Sequence, residues 1–301
     1  MGTPSGSACR VDAHCHFWEI SREDYGWLTP ENEGIAPLYR DFTASDLDPL
    51  AIEAGIHGRV LVQAAPTLSE TYYLLALARK DPSAIGVVGW VDLEDVACVA
   101  QLEELSTDPL FLGVRPMLQD IADRAWLLSK PRADAMDALQ RLNIRFDALV
   151  DVRHLDALAT FVERMPELPV VINHAAKPPL SASAGDDIRL VWSQNMARLA
   201  RHPNVFVKLS GLLTEMPQEV RRSPEEAARN LRSTFSELID HFGPQRILWG
   251  SDWPVLTLVS PYAFWDRVTD ILLADLGNAD RADVLGNNAR RFYSIKAANS
   301  T

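Results

Sequence analysis

Short apolar runs recur along the whole chain, and each is followed by a stretch with the spacing of a helix. Because the runs are apolar on both faces, they are typical of parallel strands buried beneath helices. The predicted strands are Val11–Trp18, Arg59–Ala64, Ala84–Val91, Leu110–Arg115, Ile144–Val150, Pro169–His174, Asn204–Ser210 and Arg246–Asp252. Eight such units predict an α/β protein with one (β/α)8 TIM barrel over residues 1–301.

Start and stop signals place the helices between these strands. Thr43 predicts the N-cap of a first helix ending near Gly55, and Ser223-Pro224-Glu225-Glu226 predicts a capping box. Ser260-Pro261 is a further predicted helix start. The other predicted helices are Glu70–Lys80, Val96–Leu105, Arg132–Leu142, Leu155–Arg164, Asp187–Arg201 and Asp280–Tyr293. Residues 19–40 are irregular and rich in Trp, Tyr and Pro, so we expect them to form a site wall or lid.

The sequence lacks the signatures of alternative architectures. An open doubly wound sheet would have five to seven strands and a glycine-rich phosphate turn, and neither Gly-x-Gly-x-x-Gly nor a P-loop is present. The sequence also contains no repeat, low-complexity tract or linker. A single barrel domain with long loops is therefore expected.

Composition narrows the class of partner. A formal charge of −12 and a pI near 5.0 disfavour nucleic acid and anionic membranes, which bind clustered Lys and Arg. Three cysteines without a Cys-x-x-Cys spacing indicate neither a disulfide framework nor a thiolate zinc site, which fits the cytoplasm. Residues 1–10 lack the pattern of a signal peptide, and no apolar run reaches the roughly 18 residues of a membrane span. We expect a small-molecule partner.

The first predicted strand carries a His-x-His pair. Alternate side chains of an extended strand share a face, so Asp12, His14 and His16 should point one way, and Ala13 and Cys15 the other. Cys15 is therefore not a candidate nucleophile. Two imidazoles on one face can share a metal ion or a reacting group, although the pair alone is a weak signal.

Polar residues close several other apolar runs, at the strand ends where barrels of this kind carry their active sites. They are Gln63, Arg115, His174 with Lys177 just beyond it, Lys208 with Ser210, and Asp252. A carboxylate beside imidazoles and cations suits the binding of an anion or a developing oxyanion. Each residue also has a structural interpretation: Asp252 could cap a helix, His174 could be a hydrogen-bonded core residue, and Gln63 is more typical of a structural role.

His-x-His on the first strand, a His on the sixth and Gly-Ser-Asp-Trp-Pro on the eighth resemble the amidohydrolase superfamily, specifically its lactonase branch. That branch includes L-fuconolactonase-like, L-rhamnonolactonase-like and 2-pyrone-4,6-dicarboxylate lactonase-like proteins. The resemblance runs nearly the whole length of the chain. Asn173 and Ala176 stand where the family commonly has Asp and Gly, and Pro116 where it often has His, so the substrate of the relatives does not transfer automatically. A binuclear metal site is not expected, because the fourth strand offers Arg115 in place of a bridging lysine.

The resemblance implies hydrolysis of a lactone, most simply a sugar-acid lactone. Asp252 would act as general base on the attacking water. His14, His16 and His174 would polarise the carbonyl as hydrogen-bond donors, or would hold one divalent ion together with Asp252, for which zinc suits the ligand types. The remaining assignments are substrate-orienting polar groups at Arg115, Lys177, Lys208 and Ser210 and apolar walls at Trp27 and Trp90.

Two alternatives remain open at this point. Metal-dependent decarboxylases of aromatic acids use a similar set of His and Asp residues, and a non-catalytic barrel could bind a sugar acid. The sequence identifies neither the lactone nor the requirement for metal, and it leaves the oligomeric state open, including a homo-oligomer.

Overall fold

The computed structural model describes residues 9–181 and 185–295, and its eight strands form one parallel sheet in sequence order. The strands are β1 (Arg10–Cys15), β2 (Ile56–Val62), β3 (Ala84–Gly89), β4 (Phe111–Val114), β5 (Arg145–Ala148), β6 (Val170–Ile172), β7 (Val205–Leu209) and β8 (Ile247–Trp249). The sheet closes where the end of β8 meets β1, since the amide of Asp252 donates to the carbonyl of His14 at 2.8 Å and that of His16 to Trp253 at 2.7 Å. The predicted (β/α)8 barrel is confirmed.

Helices follow the strands around the barrel. They are α1 (Ala44–Glu53), α2 (Leu68–Ala78), α3 (Cys98–Leu105), α4 (Trp126–Ser129), α5 (Ala133–Arg141), α6 (Leu155–Arg164), α7 (Asp186–Ala200), α8 (Pro224–Phe242), α9 (Tyr262–Leu272), α10 (Asn278–Ala282) and α11 (Asn288–Phe292). The predicted caps at Thr43 and Ser223 are confirmed, each bonding within the first turn. The helix start predicted at Ser260-Pro261 is confirmed, since α9 begins at Tyr262, although its N-cap residue is Pro261 and makes no side-chain cap bond. None of the helices in the described ranges combines the length and apolar character needed to cross a bilayer. Residues 1–8, which belong to the N-terminal stretch without a signal-peptide pattern, lie outside the described residues.

Two layers of apolar side chains hold the barrel together. The larger packs the outer face of the strands against the helices. The smaller fills the barrel and includes Val11, Val62, Val171 and Leu248. Phe292 and Tyr293 join this inner cluster at the C-terminal end of α11, so the last described helix closes the floor of the barrel.

A bulge in β1 overturns the expected alternation of its side chains. Asp12 pairs with Arg59 and Cys15 with Leu61, so three steps on β1 match two on β2. Asp12 consequently faces outward and accepts from the hydroxyl of Tyr262 at 3.1 Å, instead of sharing a face with the histidines. Cys15 points away from the barrel interior, as predicted, and contacts the carbonyl of Val60 at 3.6 Å.

All eight predicted strands end one to three residues earlier than expected, and at β6 and β8 this decides where the polar residues point. β6 stops at Ile172, and His174 to Lys177 all have positive φ values between 48° and 57°. β8 stops at Trp249, and Asp252 has a φ of 60°. These left-handed conformations turn His174 and Asp252 back over the mouth of the barrel; non-glycine residues rarely adopt them and cluster at functional sites when they do.

Candidate active site

Three imidazoles surround one carboxylate oxygen at the C-terminal end of the barrel. The Oδ1 atom of Asp252 lies 3.4 Å from Nε2 of His16, 3.6 Å from Nε2 of His14 and 3.7 Å from Nε2 of His174. All four side chains are buried. The first strand, the turn after the sixth and the turn after the eighth therefore meet at one point.

The charge of Asp252 follows from its neighbours. Burial alone would raise its pKa, but the neighbouring rings of His174 and His16 and the guanidinium of Arg115 outweigh that effect and hold the pKa below its ordinary value. Asp252 is consequently a carboxylate at neutral pH. A buried carboxylate at the floor of a cleft can accept a proton from a bound water molecule.

The histidines are neutral in this arrangement. Burial lowers the pKa of His174 to about 3, and it also lowers the pKa values of His16 and, more strongly, His14. Each ring then carries one proton, and its other nitrogen is an acceptor.

The second nitrogen of each ring has a different partner. Nδ1 of His16 lies 2.8 Å from the carbonyl of Val62, which can only accept, so that nitrogen must donate. Nδ1 of His174 lies 3.0 Å from the hydroxyl of Ser210, which can donate or accept. Gly211, with a φ of 63°, leaves room for this ring, because an added Cβ would lie 2.4 Å from Nδ1 of His174.

A cavity of about 190 Å³ opens above Asp252. Six of the ten predicted site residues line it: His16, Trp27, Arg115, His174, Lys177 and Asp252. The indole of Trp27 is fixed by a 2.7 Å hydrogen bond to the carbonyl of Ala64. Arg115 is braced by Gln63, whose side-chain amide donates to its carbonyl at 2.7 Å and whose carbonyl accepts from Nη2. Gln63 thus has the structural role that the sequence favoured.

The other four predicted residues are not part of the cavity wall. His14, Lys208 and Ser210 are fully buried below it. The backbone of Trp90 bonds to the hydroxyl of Thr71, and its side chain is absent from the lining. The predicted direct substrate contacts of Lys208, Ser210 and Trp90 therefore do not fit this geometry.

Sequence reasoning missed a second group of residues. Met117, Gln119 and Asp120 after β4, and Thr214 and Glu215 after β7, line the cavity on the loops. Their only sequence signal is their position shortly after a strand end, which many loop residues share.

Asp147 in the middle of β5 was also missed. Its carboxylate lies 2.6 Å from the ammonium of Lys208, and it accepts from Tyr293 at 2.8 Å and from Asn173 at 3.0 Å. A charged residue inside an apolar strand is rarely buried without a partner, and this was the available signal. In this chain an Asp in place of Asn173 would set two carboxylates against each other.

One group in the described part of the chain has the spacing of a metal site. The possible ligand atoms of His14, His174 and Asp252 lie within 4.8 Å of one another, and their types suit zinc. The groups around these atoms, however, do not suit a metal ion. A ligating histidine usually donates its other N–H to an acceptor, whereas the other nitrogen of His14 faces the ammonium of Lys208 at 3.2 Å. Arg115 adds a second cation beside a single carboxylate, so the residues present do not fit a metal ion.

The irregular segment 19–40 is tied to the barrel by a buried carboxyl. Glu70, on α2, accepts from the hydroxyl of Tyr25 at 2.9 Å and from the amide of Ala64 at 3.2 Å. Burial raises the pKa of Glu70 to about 7. Because Trp27 follows two residues after Tyr25, this contact helps to place the cavity wall.

We expect the stability of the protein to fall as this carboxyl ionises. The folded protein keeps a proton that the unfolded chain loses near pH 4.5, so the free energy of unfolding should fall between pH 4.5 and 7 by at most about 3 kcal/mol. Glu70→Gln should remove this slope in urea titrations at several pH values. Glu104→Gln is the control, since Glu104 accepts from Tyr72 at 2.9 Å on the surface. Equal slopes for wild type and Glu70→Gln would contradict the assignment.

Comparison with known proteins gives the family. The amidohydrolase family model matches residues 11–295. The chain belongs to the amidohydrolase family. An L-fucono-1,5-lactonase of Burkholderia ambifaria is 41% identical to this amidohydrolase over 95% of the chain and 96% of the relative. An L-fucono-1,5-lactonase of Burkholderia multivorans is 34% identical over 96% and 97%, respectively.

A solved amidohydrolase of Burkholderia multivorans with bound zinc is 33% identical and has a TM-score of 0.85. The alignment covers 96% of this amidohydrolase and all of that chain. The resemblance seen in the sequence is thus confirmed at the level of the family and of the whole fold.

Proposed function

We propose that this amidohydrolase hydrolyses the ring ester of an uncharged sugar-acid lactone, of the class of L-fucono-1,5-lactone. The ionised Asp252 on the cavity floor, ringed by neutral imidazoles, carries the proposal. The lactonase names of the relatives at 34% and 41% identity favour this reaction over decarboxylation.

In the proposed mechanism, a water molecule donates hydrogen bonds to Asp252 and to the free Nε2 of His16. Asp252 takes a proton as the water attacks the lactone carbonyl. Arg115, which can only donate, and His174 stabilise the oxyanion of the tetrahedral intermediate. The ring C–O bond then breaks, and the proton held by Asp252 passes to the departing alkoxide, giving the free hydroxy acid.

The charge of the cavity supports a neutral substrate. Arg115 and Lys177 contribute positive charge, while Asp120, Glu215 and Asp252 contribute negative charge. Lys177 lies 3.6 Å from Glu215, so its charge is partly balanced within the wall. Such a mixed lining can hydrogen-bond sugar hydroxyl groups from both sides but has no excess cation for a dicarboxylate.

A rate screen with a pH indicator tests this proposal. We expect L-fucono-, L-rhamnono- or galactonolactones to be opened at least about 100-fold faster than pyrone or muconolactone carboxylates, since unpaired buried charges cost several kcal/mol. Carbon dioxide release from a hydroxybenzoate would instead identify a decarboxylase. Binding of a sugar acid without turnover of any lactone would identify the non-catalytic alternative.

Metal removal gives an independent prediction. Because Lys208 and Arg115 oppose a cation beside His14, we expect chelator-treated, metal-analysed protein to keep most of its lactonase activity. Loss of activity that is restored by added zinc would contradict this expectation.

A further inference from the structure

We propose that His14 positions the base rather than contacting the substrate, and that Lys208 is a positioning residue that sets the tautomer of His14. The four groups form a buried line: the carboxylate of Asp147, the ammonium of Lys208, the imidazole of His14 and the carboxylate of Asp252. The inference rests on the proposed role of Asp252 as base.

The first contact fixes Lys208. Its ammonium lies 2.6 Å from Oδ2 of Asp147, as short as a charge-assisted hydrogen bond, and both side chains are completely buried. Tyr293 and Asn173 hold Asp147 from two other sides. The ammonium has no freedom to turn away from the neighbouring ring.

The second contact fixes the proton on His14. An ammonium can only donate, so Nδ1 of His14, 3.2 Å away, must accept. A ring that accepts at Nδ1 carries its proton on Nε2, which faces Oδ1 of Asp252 at 3.6 Å. Hydrogen bonds of active sites are often this long before substrate binds, and they shorten in the complex.

Arg115 also contacts the ring of His14, but at a longer distance than Lys208 does. Its Nη1 lies 3.4 Å from Nε2 of His14, and a guanidinium also only donates. A neutral ring cannot accept at both nitrogens, and the shorter contact is the one to Lys208. Nη1 of Arg115 is therefore left without an acceptor on His14 and is available to a substrate oxygen in the cavity that Arg115 lines.

The two histidines of the His-x-His pair consequently differ in chemistry. His16 carries its proton on Nδ1, where Val62 accepts it, and presents a lone pair at Nε2. His14 carries its proton on Nε2 and presents an N–H. One ring offers an acceptor to the attacking water, and the other turns an N–H toward the base, 3.6 Å away.

The tautomers can be measured without substrate, by ¹⁵N NMR of the full chain labelled at histidine and assigned with His14→Gln and His16→Gln variants. We expect an Nε2–H ring for His14 and, as an internal control, an Nδ1–H ring for His16. Both patterns should persist with one equivalent of zinc. An Nδ1–H ring at His14, or loss of its Nε2–H when zinc is added, would overturn the proposal even if the lactonase assignment were correct.

A variant tests the positioning role. In the double variant Lys208→Met with Asp147→Asn, we expect His14 to lose its preference for the Nε2–H form and kcat to fall about 10- to 100-fold, with KM changed less than about threefold. Arg59→Met is the matched control, since Arg59 is equally buried on β2 and pairs with Asp81 at 2.8 Å, away from His14. An unchanged His14 spectrum in the double variant would overturn the role of Lys208. If no lactone is turned over by wild type, the spectra still decide the tautomer, whereas the proposed function fails.

Discussion

Replacing Asp252 with asparagine is expected to lower kcat/KM for the best lactone about 10²- to 10⁴-fold, the usual contribution of a general base. Asn has the shape of Asp and tolerates the left-handed backbone at this position, where φ is 60°. The amide of residue 252 can still donate to the carbonyl of His14. The variant should therefore fold with the cavity intact and lack only the proton acceptor.

Asp120→Asn provides the comparison for this experiment. Asp120 lines the same cavity but lies on the loop after β4, away from the histidine cluster, so its loss should raise KM more than it lowers kcat. Initial rates of both variants test whether Asp252 is the base. Thermal melts exclude misfolding as the cause of a lower rate. An Asp252→Asn enzyme with more than a tenth of wild-type kcat would remove Asp252 from the role of base.

Lys208→Met alone is expected to lower the free energy of unfolding by about 3–5 kcal/mol. Methionine fills much of the space of the lysine stem, but it leaves the fully buried carboxylate of Asp147 without its cation. The hydroxyl of Tyr293 and the amide of Asn173 still donate to that carboxylate, and these hydrogen bonds limit the loss of unfolding free energy.

Urea unfolding at pH 7 measures this effect. Adding Asp147→Asn should recover part of the loss, because the unpaired charge disappears. Arg267→Met is the surface control: Arg267 lies 4.0 Å from Glu225, both side chains are 60% exposed, and such pairs contribute at most about 1 kcal/mol. A Lys208→Met loss no larger than that of Arg267→Met would mean that Asp147 is not a buried charge that needs Lys208.

The hydrophobic pattern was sufficient for the barrel because parallel strands buried on both faces leave long apolar runs. It could not show the bulge in β1, since one extra residue between Asp12 and Cys15 changes no residue type. Asp12 was therefore assigned to the wrong face. Similarly, the left-handed backbone at His174 and Asp252 occurs at residues other than glycine, so the residue type did not mark these two turns.

Site residues were predictable where they are ionisable and lie within three residues after a strand end, as His16, His174 and Asp252 do. The depth of a side chain below the cavity was not predictable. Lys208 occupies a strand position next to the rim, yet its long side chain turns inward to reach Asp147, a partner 61 residues earlier in the chain. Sequence spacing gives the side of the barrel on which a residue lies, but it does not say how far below the cavity its charged atoms come to rest.

The closure of the barrel between β8 and β1 has a consequence for biosynthesis. The imidazoles of the first strand receive their carboxylate only after the ribosome has released the segment around Asp252, and the floor of the barrel arrives later still with Tyr293. Contacts between such distant parts of a chain form slowly. A growing or C-terminally truncated chain would thus hold exposed, unpaired histidines, and hydrolytic competence would come with the final step of folding rather than with the assembly of the first strands.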